Sequence, residues 1–227
     1  MMQTISVVIP TLNEAEALPE TVRHLKANAE ITEIIVVDGG SSDDTANMAR
    51  KLAAKVIESR ASRGHQLRVG AEAATGDVIM FVHADTWLPP HAARAALDCL
   101  RAPRVVAGGF WKKFRNTPLL LLGSRPKCAV RLYVGRRIAG DQCLFLRREI
   151  LRQIGGVPDV ALMEEFELCR RLRRIGGLAL ARATVSTSAR RFRKLGVLRT
   201  YWRMWWVTTL WRLGVSPTKL RAIYEKA

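Results

Sequence analysis

Residues 78–87 read VIMFVHADTW. Val78-Ile79-Met80-Phe81-Val82 is apolar without alternation, which suits a strand covered on both faces, as in a parallel sheet. It then breaks into His83, Ala84, Asp85 and Thr86, a polar cluster at the strand's carboxyl end. Outward from this strand the chain alternates. TISVVIP (4–10), EIIVVD (33–38) and KVIES (55–59) read as three more strands, with GDVIMFVHA (76–84) as the fourth. Between them lie helical patterns: Leu18, Val22 and Leu25 behind Pro19, a segment to Leu52, and RGHQLRVGAEAA (63–74). Ser41 with Asp44 three residues on reads as a capping box for the second of these. Pro90 falls where a first helical turn accepts it, opening a helix to Leu100. Strands alternating with helices predict an α/β chain with a largely parallel sheet.

In such sheets ligands bind outside the carboxyl ends of the strands. Three strand ends here carry polar clusters: PTLNE (10–14), DGGSSDDT (38–45) and HADT (83–86). Three at equivalent positions predict one site. The second half is less regular. RVVAGGFWKKF (104–114), GDQCLFLRR (140–148) and LALARATVS (178–186) contain strand-like runs. EEFELCRRLRRIG (164–176) and LRTYWRMWWVTTLWRL (198–213) read as helices.

Hydrophobic residues make up 48% and charged residues 25% of the 227, a globular composition. No apolar run approaches the roughly 18 residues of a membrane span, the longest candidate, Leu119 to Leu122, being cut off by Gly123, Arg125, Pro126 and Lys127. MMQTISVVIP has no basic segment ahead of its apolar stretch, so a cytosolic location is the expectation. Cys99, Cys128, Cys143 and Cys169 show no metal or disulfide spacing and are expected to be buried or partly buried free thiols. Charge is unevenly placed. Residues 1–111 hold 11 Lys and Arg against 13 Asp and Glu; residues 112–227 hold 26 against 7. Such a basic half predicts an anionic partner.

The strand-end residues suit a nucleotide diphosphate. Asp38 leaves its strand into Gly39-Gly40, where its carboxylate can meet a base edge or ribose and the glycines allow close backbone approach. Thr11 and Glu14 leave the neighbouring strand at the same edge, and Arg63 can contact a base carbonyl or a phosphate. Asp85 is a hard oxygen ligand suited to Mg²⁺ or Mn²⁺ alongside diphosphate oxygens.

SVVIPTLNE, IIVVDGGSSDDT, RG at 63–64, GD at 76–77 and HAD at 83–85 occur in the order and spacing of family 2 glycosyltransferases. The chain resembles that family over residues 4–180, most closely its small bacterial non-processive members. The resemblance implies the GT-A fold, a nucleotide-binding mostly parallel sheet flanked by helices. It also implies an inverting, metal-dependent transfer of one sugar from a nucleotide-diphosphate sugar, UDP-linked, to an acceptor hydroxyl. Donor binding is then expected at Pro10, Thr11, Asn13, Glu14, Asp38, Gly39, Arg63, Ala84 and Asp141, and the metal at Asp85 and His83. His83 departs from the Asp-x-Asp pattern common in the fold. MEEFELCRRL stands where the family has its Glu-Asp acceptor-side motif, so Glu165 replaces the usual Asp as general base with Glu164 beside it. The Gln-x-x-Arg-Trp motif of processive members is absent. Asp77 reads equally as a turn residue and a nucleotide contact.

The domain division expected is a transferase domain over 1–190 and a basic, aromatic helical extension over 191–227. On a helical wheel Leu198, Tyr201, Trp202, Trp205, Trp206 and Leu213 share a broad face among Arg199, Arg203 and Arg212. That mixture suits an anionic membrane surface, with a lipid-linked acceptor at its inner face; packing on the domain is the alternative. Basic charge with aromatics also fits a nucleic-acid binder, but strand-end carboxylates would repel phosphate and no binding motif appears, so no nucleic acid is expected. G-x-G-x-x-G and P-loop patterns are absent, which argues against dehydrogenases and P-loop enzymes. A non-catalytic member of the fold is the remaining alternative.

Overall fold

The structure is a computed structural model and describes residues 3–52, 55–115 and 124–226. The Leu119–Leu122 run lies outside the described residues. The parallel half follows the predicted alternation: β1 (Ile5–Thr11), α1 (Leu18–Lys26), β2 (Ile31–Asp38), α2 (Thr45–Lys51), β3 (Lys55–Glu58), α3 (Arg63–Glu72) and β4 (Val78–Phe81). β5 (Thr86–Trp87) and α4 (Ala92–Leu100) come next. The rest comprises β6 (Val105–Arg115), α5 (Ser124–Tyr133), a 3₁₀ turn (Gly140–Gln142), β7 (Phe145–Arg147), α6 (Arg148–Gln153) and α7 (Glu164–Leu172). β8 (Gly177–Ser188), α8 (Arg190–Leu195), α9 (Val197–Arg212) and α10 (Pro217–Lys226) close the described chain.

The strands form one eight-stranded sheet, ordered β3-β2-β1-β4-β7-β6-β8-β5. The first four are parallel, and β7 inserts antiparallel between β4 and β6. Unalternated apolar strands are explained by two cores, one on each face. Ile5, Val7, Ile9, Val36 and Met80 pack with α1, α2 and α4. Val8, Ile35, Val37, Ile79 and Phe81 pack with α3, α6 and α7. Gly70 lets α3 approach this second layer, for a Cβ there would overlap Val8 and lie 2.9 Å from Val37 Cγ2.

Chain order reverses around β1, which has β2 on one side and β4 on the other, so the switch point falls between β1 and β4. Register aligns the ends there: Thr11 stands opposite Asp38, and Val8 opposite Phe81. β4 is shorter than predicted. It ends at Phe81, and residues 83–85 turn toward β5, which pairs antiparallel with β8. The capping box at Ser41 does not form. Its hydroxyl bonds Asp38 instead, while Asp43 accepts from the backbone N–H and hydroxyl of Thr45 at the start of α2. Asp77 is a structural residue: its carboxylate accepts from the N–H (2.9 Å) and hydroxyl (3.1 Å) of Thr4, at the end of β4 away from the switch point. Of the four free cysteines three are buried and Cys99 is partly buried, as expected. No helix among the described residues is long and apolar enough to cross a membrane.

Candidate active site

Two neighbouring groups of side chains occupy the carboxyl edge of the sheet. In the first, the β1 and β2 ends are tied together. Thr11 donates its hydroxyl to Asp38 at 3.2 Å, and the second Asp38 oxygen accepts from the N–H groups of Gly40 (3.1 Å) and Ser41 (2.8 Å). With Ser41's hydroxyl on its first oxygen, the carboxylate is occupied in shaping its own loop. Gln66 on α3 braces this edge, donating 2.8 Å bonds to the carbonyls of Thr11 and Val37. Gly39 donates its N–H to the Thr11 carbonyl at 2.9 Å, and a Cβ on it would meet Gln66 Nε2 at 3.0 Å. Pro10 extends the register opposite Val37. Asn13, left-handed at φ 56°, accepts the Ser42 N–H at 2.8 Å through its side chain and so joins the two loops.

Across the switch point, Asp85 is largely buried, and burial pushes its carboxyl up despite the opposing charges of Arg190 and Arg115. Among the described residues the carboxylate enters no ion pair; it accepts a long 3.5 Å bond from Thr86. Glu14 is pushed up by burial as well, and Arg190 offsets part of that through 2.7 and 2.8 Å bonds. The Ala84 carbonyl accepts the Thr21 hydroxyl at 2.6 Å, and Arg115 donates to the Asp85 carbonyl at 2.6 Å, which fixes the turn.

The second group forms where α7 begins. Glu164, only 4% exposed, and Glu165 share the guanidinium of Arg63. Arg63 Nε lies 2.9 Å from Glu164, an ionic contact without an aligned hydrogen bond, and a second nitrogen pairs with Glu165. That nitrogen also lies 2.5 Å from His83 Nε2. Burial, then the Glu165 charge, pushes the Glu164 carboxyl up to about 7 against the pull of Arg63. Gly140 sits against all of them: a Cβ there would overlap Arg63 and Glu165 and stand 2.6 Å from His83 Nε2.

In this structure the Arg63 guanidinium, expected at a base or phosphate, meets the two glutamates. His83 Nε2 faces the same guanidinium. Asp141, expected at the donor sugar, is paired with Lys112 and, at 3.5 Å, with Arg131. Burial would raise its carboxyl, but these two cations outweigh it and hold it well below the carboxylate range.

The sequence reading missed Lys112, Arg190 and Arg115. Lys112 was traceable: strand alternation puts it on the same face as Phe110, and both are buried. Arg190 and Arg115 carried no local signal, since they meet Glu14 and Asp85 only through the fold.

Residues 6–155 match the family model for glycosyl transferase family 2, well over half of the chain, which therefore belongs to that family. A curated relative, the undecaprenyl-phosphate 4-deoxy-4-formamido-L-arabinose transferase of Enterobacter sp. (strain 638), is 36% identical over 98 residues, covering 38% of this chain and 30% of that protein. The chain spans less than half the length of the curated relatives it matches. Among solved structures, a mannosyltransferase of Pyrobaculum calidifontis with GDP-Man and Mn²⁺ superposes with a TM-score of 0.69 at 21% identity, covering 99% of this chain and 69% of that one. Glucosyl-3-phosphoglycerate synthase of Mycobacterium tuberculosis with Mn²⁺, UDP and glucosyl-3-phosphoglycerate gives 0.60 at 23%, covering 82% and 70%. At these identities the likeness establishes the fold, GT-A, as the sequence predicted.

Proposed function

We propose that this chain is an inverting glycosyltransferase that moves one sugar from a nucleotide-diphosphate donor, a UDP-sugar, to an acceptor hydroxyl. The observation that carries the reading is the pairing of Glu164 and Glu165 around Arg63 at the edge that also holds Asp85. Glu165 is the general base. It takes the acceptor's proton as that oxygen bonds to the anomeric carbon, and the bond to the nucleotide diphosphate breaks with its electron pair. Arg63 orients Glu165, and Glu164 sets the local charge. Thr11, Asp38 and Gly39 shape the floor on which the nucleoside rests.

No group of three or more His, Cys, Asp or Glu among the described residues could hold a metal by itself. Asp85 nevertheless fits one: it is a desolvated carboxylate in no ion pair among the described residues, the kind of single ligand Mg²⁺ or Mn²⁺ uses with substrate phosphates and water. Such an ion, held by Asp85 and the donor, would neutralise charge on the departing diphosphate. The mannosyltransferase and the glucosyl-3-phosphoglycerate synthase above, each in complex with Mn²⁺, support that reading. The test is nucleotide diphosphate release from UDP- and GDP-sugars with Mn²⁺. Release that Glu165→Gln reduces by about 10² or more supports Glu165 as base, and undiminished release overturns it.

The partner of α9 belongs to the same reading. Val207 and Thr200 anchor the helix, and Tyr201 turns inward onto Phe192. Leu198, Trp202, Trp205, Trp206 and Leu213 are exposed, with the three indoles 66%, 55% and 45% accessible. Packing on the domain therefore does not account for these rings. Beside a half of the chain that carries 26 basic and 7 acidic residues, they suit an anionic membrane surface, which would bring a lipid-linked acceptor to the site.

A further inference from the structure

A polar cavity that the transfer reaction has not used lies against α7, the helix that begins with the two glutamates. It measures about 220 Å³ and is lined by Gly135, Arg136, Arg137, Phe166, Cys169, Arg173, Trp211 and Arg212. Four arginines from three segments converge on it: the loop after α5, the end of α7 and the end of α9. None of the four forms an ion pair among the described residues, and the Nε atoms of Arg137 and Arg173 are buried without an acceptor. The aromatic wall is ordered: the Arg137 guanidinium lies 4.5 Å over the Phe166 ring, and Phe166 meets Trp211 edge-on at 5.3 Å. Arg136 is held in the left-handed region at φ 49°, a conformation a non-glycine residue adopts at a cost. Burial, then the charges of Arg212 and Arg131, pushes Arg137 down to about 10, so it remains a cation at neutral pH in repulsive surroundings. A fold gains nothing in stability from four cations around one hole with no ion-pair partner among the described residues; an anion supplies that partner.

We propose that this cavity binds a phosphate monoester carried by the acceptor. A phosphate monoester brings a charge of about −1.5 to −2 and several acceptor oxygens, and the guanidinium fork is built for such oxygens. The volume is below that of ordinary small-molecule pockets and admits a headgroup rather than a nucleotide. Position links it to the reaction, and here the inference rests on the transferase reading above. Phe166 follows Glu165 directly. Cys169, on the cavity wall, is one turn further along α7, about 6 Å on the helix axis. A phosphate seated there leaves a hydroxyl a few bonds away at Glu165. Trp211 comes from the helix that carries the exposed indoles, so the same phosphate chemistry has two sources, a soluble phosphate ester or a lipid phosphate at a membrane surface.

Calorimetry and thermal melting at fixed ionic strength test this with the full chain. The probes are inorganic phosphate, glycerol 3-phosphate, and vesicles of neutral lipid with or without a polyprenyl monophosphate. Arg173→Gln and Arg212→Gln should each weaken phosphate binding at least tenfold, while Arg174→Gln, exposed and outside the cavity, should leave it unchanged. Arg212 is itself exposed, so its replacement keeps the fold. Without phosphate, both cavity variants should melt at or above the wild-type temperature, because each removes one of the four cations; phosphate should raise the melting point of the wild type alone. Glycerol 3-phosphate binding assigns a soluble ester, and binding confined to the phosphate-bearing vesicles assigns a lipid; either supports the site. Equal affinity in wild type, R173Q and R212Q, or equal loss in R174Q, overturns it. UDP binding measured on the same samples separates the two claims, since its absence would remove the transferase reading and leave phosphate binding standing.

Discussion

Gly140→Ala is the sharpest probe of the glutamate cluster. The 3₁₀ turn gives Gly140 no positive φ, so its requirement is space rather than conformation. A methyl there would overlap the Arg63 guanidinium and the Glu165 carboxylate and stand 2.6 Å from His83 Nε2, where ordinary contacts begin at 3.4 Å. At least 0.8 Å must be found on the His83 side alone. The colliding atoms are side-chain ends, so they move before the backbone does. A displacement near 1 Å of a positioned catalytic group costs about 10²-fold in rate, or about 2.7 kcal/mol of barrier. The assay is steady-state nucleotide release from the preferred donor, with UDP affinity measured alongside. Turnover should fall about 10²-fold, while UDP affinity stays within about threefold, because Thr11, Asp38 and Asp85 are not among the atoms the methyl meets. The melting point should move by no more than about 4 °C, the shift worth about 1 kcal/mol in a chain of this size. Turnover within threefold of wild type would refute the placement of Glu165 and Arg63 at the reaction centre.

Gly70→Ala should cost about 1–3 kcal/mol by overpacking α3 on Val8 and Val37, read as a lower midpoint in urea with the slope unchanged. Glu164 has a pH signature. Its carboxyl is raised from 4.5 to about 7, so the folded chain keeps a proton that the unfolded chain has lost. That contribution is full below pH 4.5 and disappears as pH rises to about 7. Between pH 5 and 8 the wild-type melting point should therefore fall more steeply than that of Glu164→Gln; parallel curves would contradict the raised value. Replacing Trp202, Trp205 and Trp206 together by Ser should weaken binding to anionic vesicles at least about tenfold and leave the melting point within about 2 °C, since the rings make no core.

The parallel half of the fold was legible because its signals are local. The strands carry apolar runs, the first crossover helix shows its own periodicity in Leu18, Val22 and Leu25, and the motifs at 10–14, 38–45 and 83–86 follow strand ends that the right-handed crossovers must bring together. Glu164 and Glu165 were legible by their place at a helix start. The insertion of β7 between β4 and β6 was not, because a three-residue strand has no pattern and its pairing is set by partners 65–69 residues away in register. α8 and α10 escaped for a related reason: their basic residues weaken the apolar stripe, and they are held by contacts such as Phe192 with Phe114 and Tyr201 in α8 and Tyr224 under Arg203 in α10. The local reading of Ser41 failed because Asp38, adjacent in the fold, offers its hydroxyl a charged acceptor that outbids a helix cap. Arg63 and the two glutamates were each singled out, but their pairing was not, since it joins residues about 100 positions apart.

The most direct measurement is calorimetric titration of the chain with UDP, with and without Mn²⁺, for the wild type and Asp85→Ala. The account predicts binding that Mn²⁺ strengthens in the wild type, with that gain lost in the variant while its fold is kept. Mn²⁺-independent affinity of equal strength in both would contradict a metal held at Asp85, and no binding of UDP under either condition would contradict the UDP-sugar reading itself.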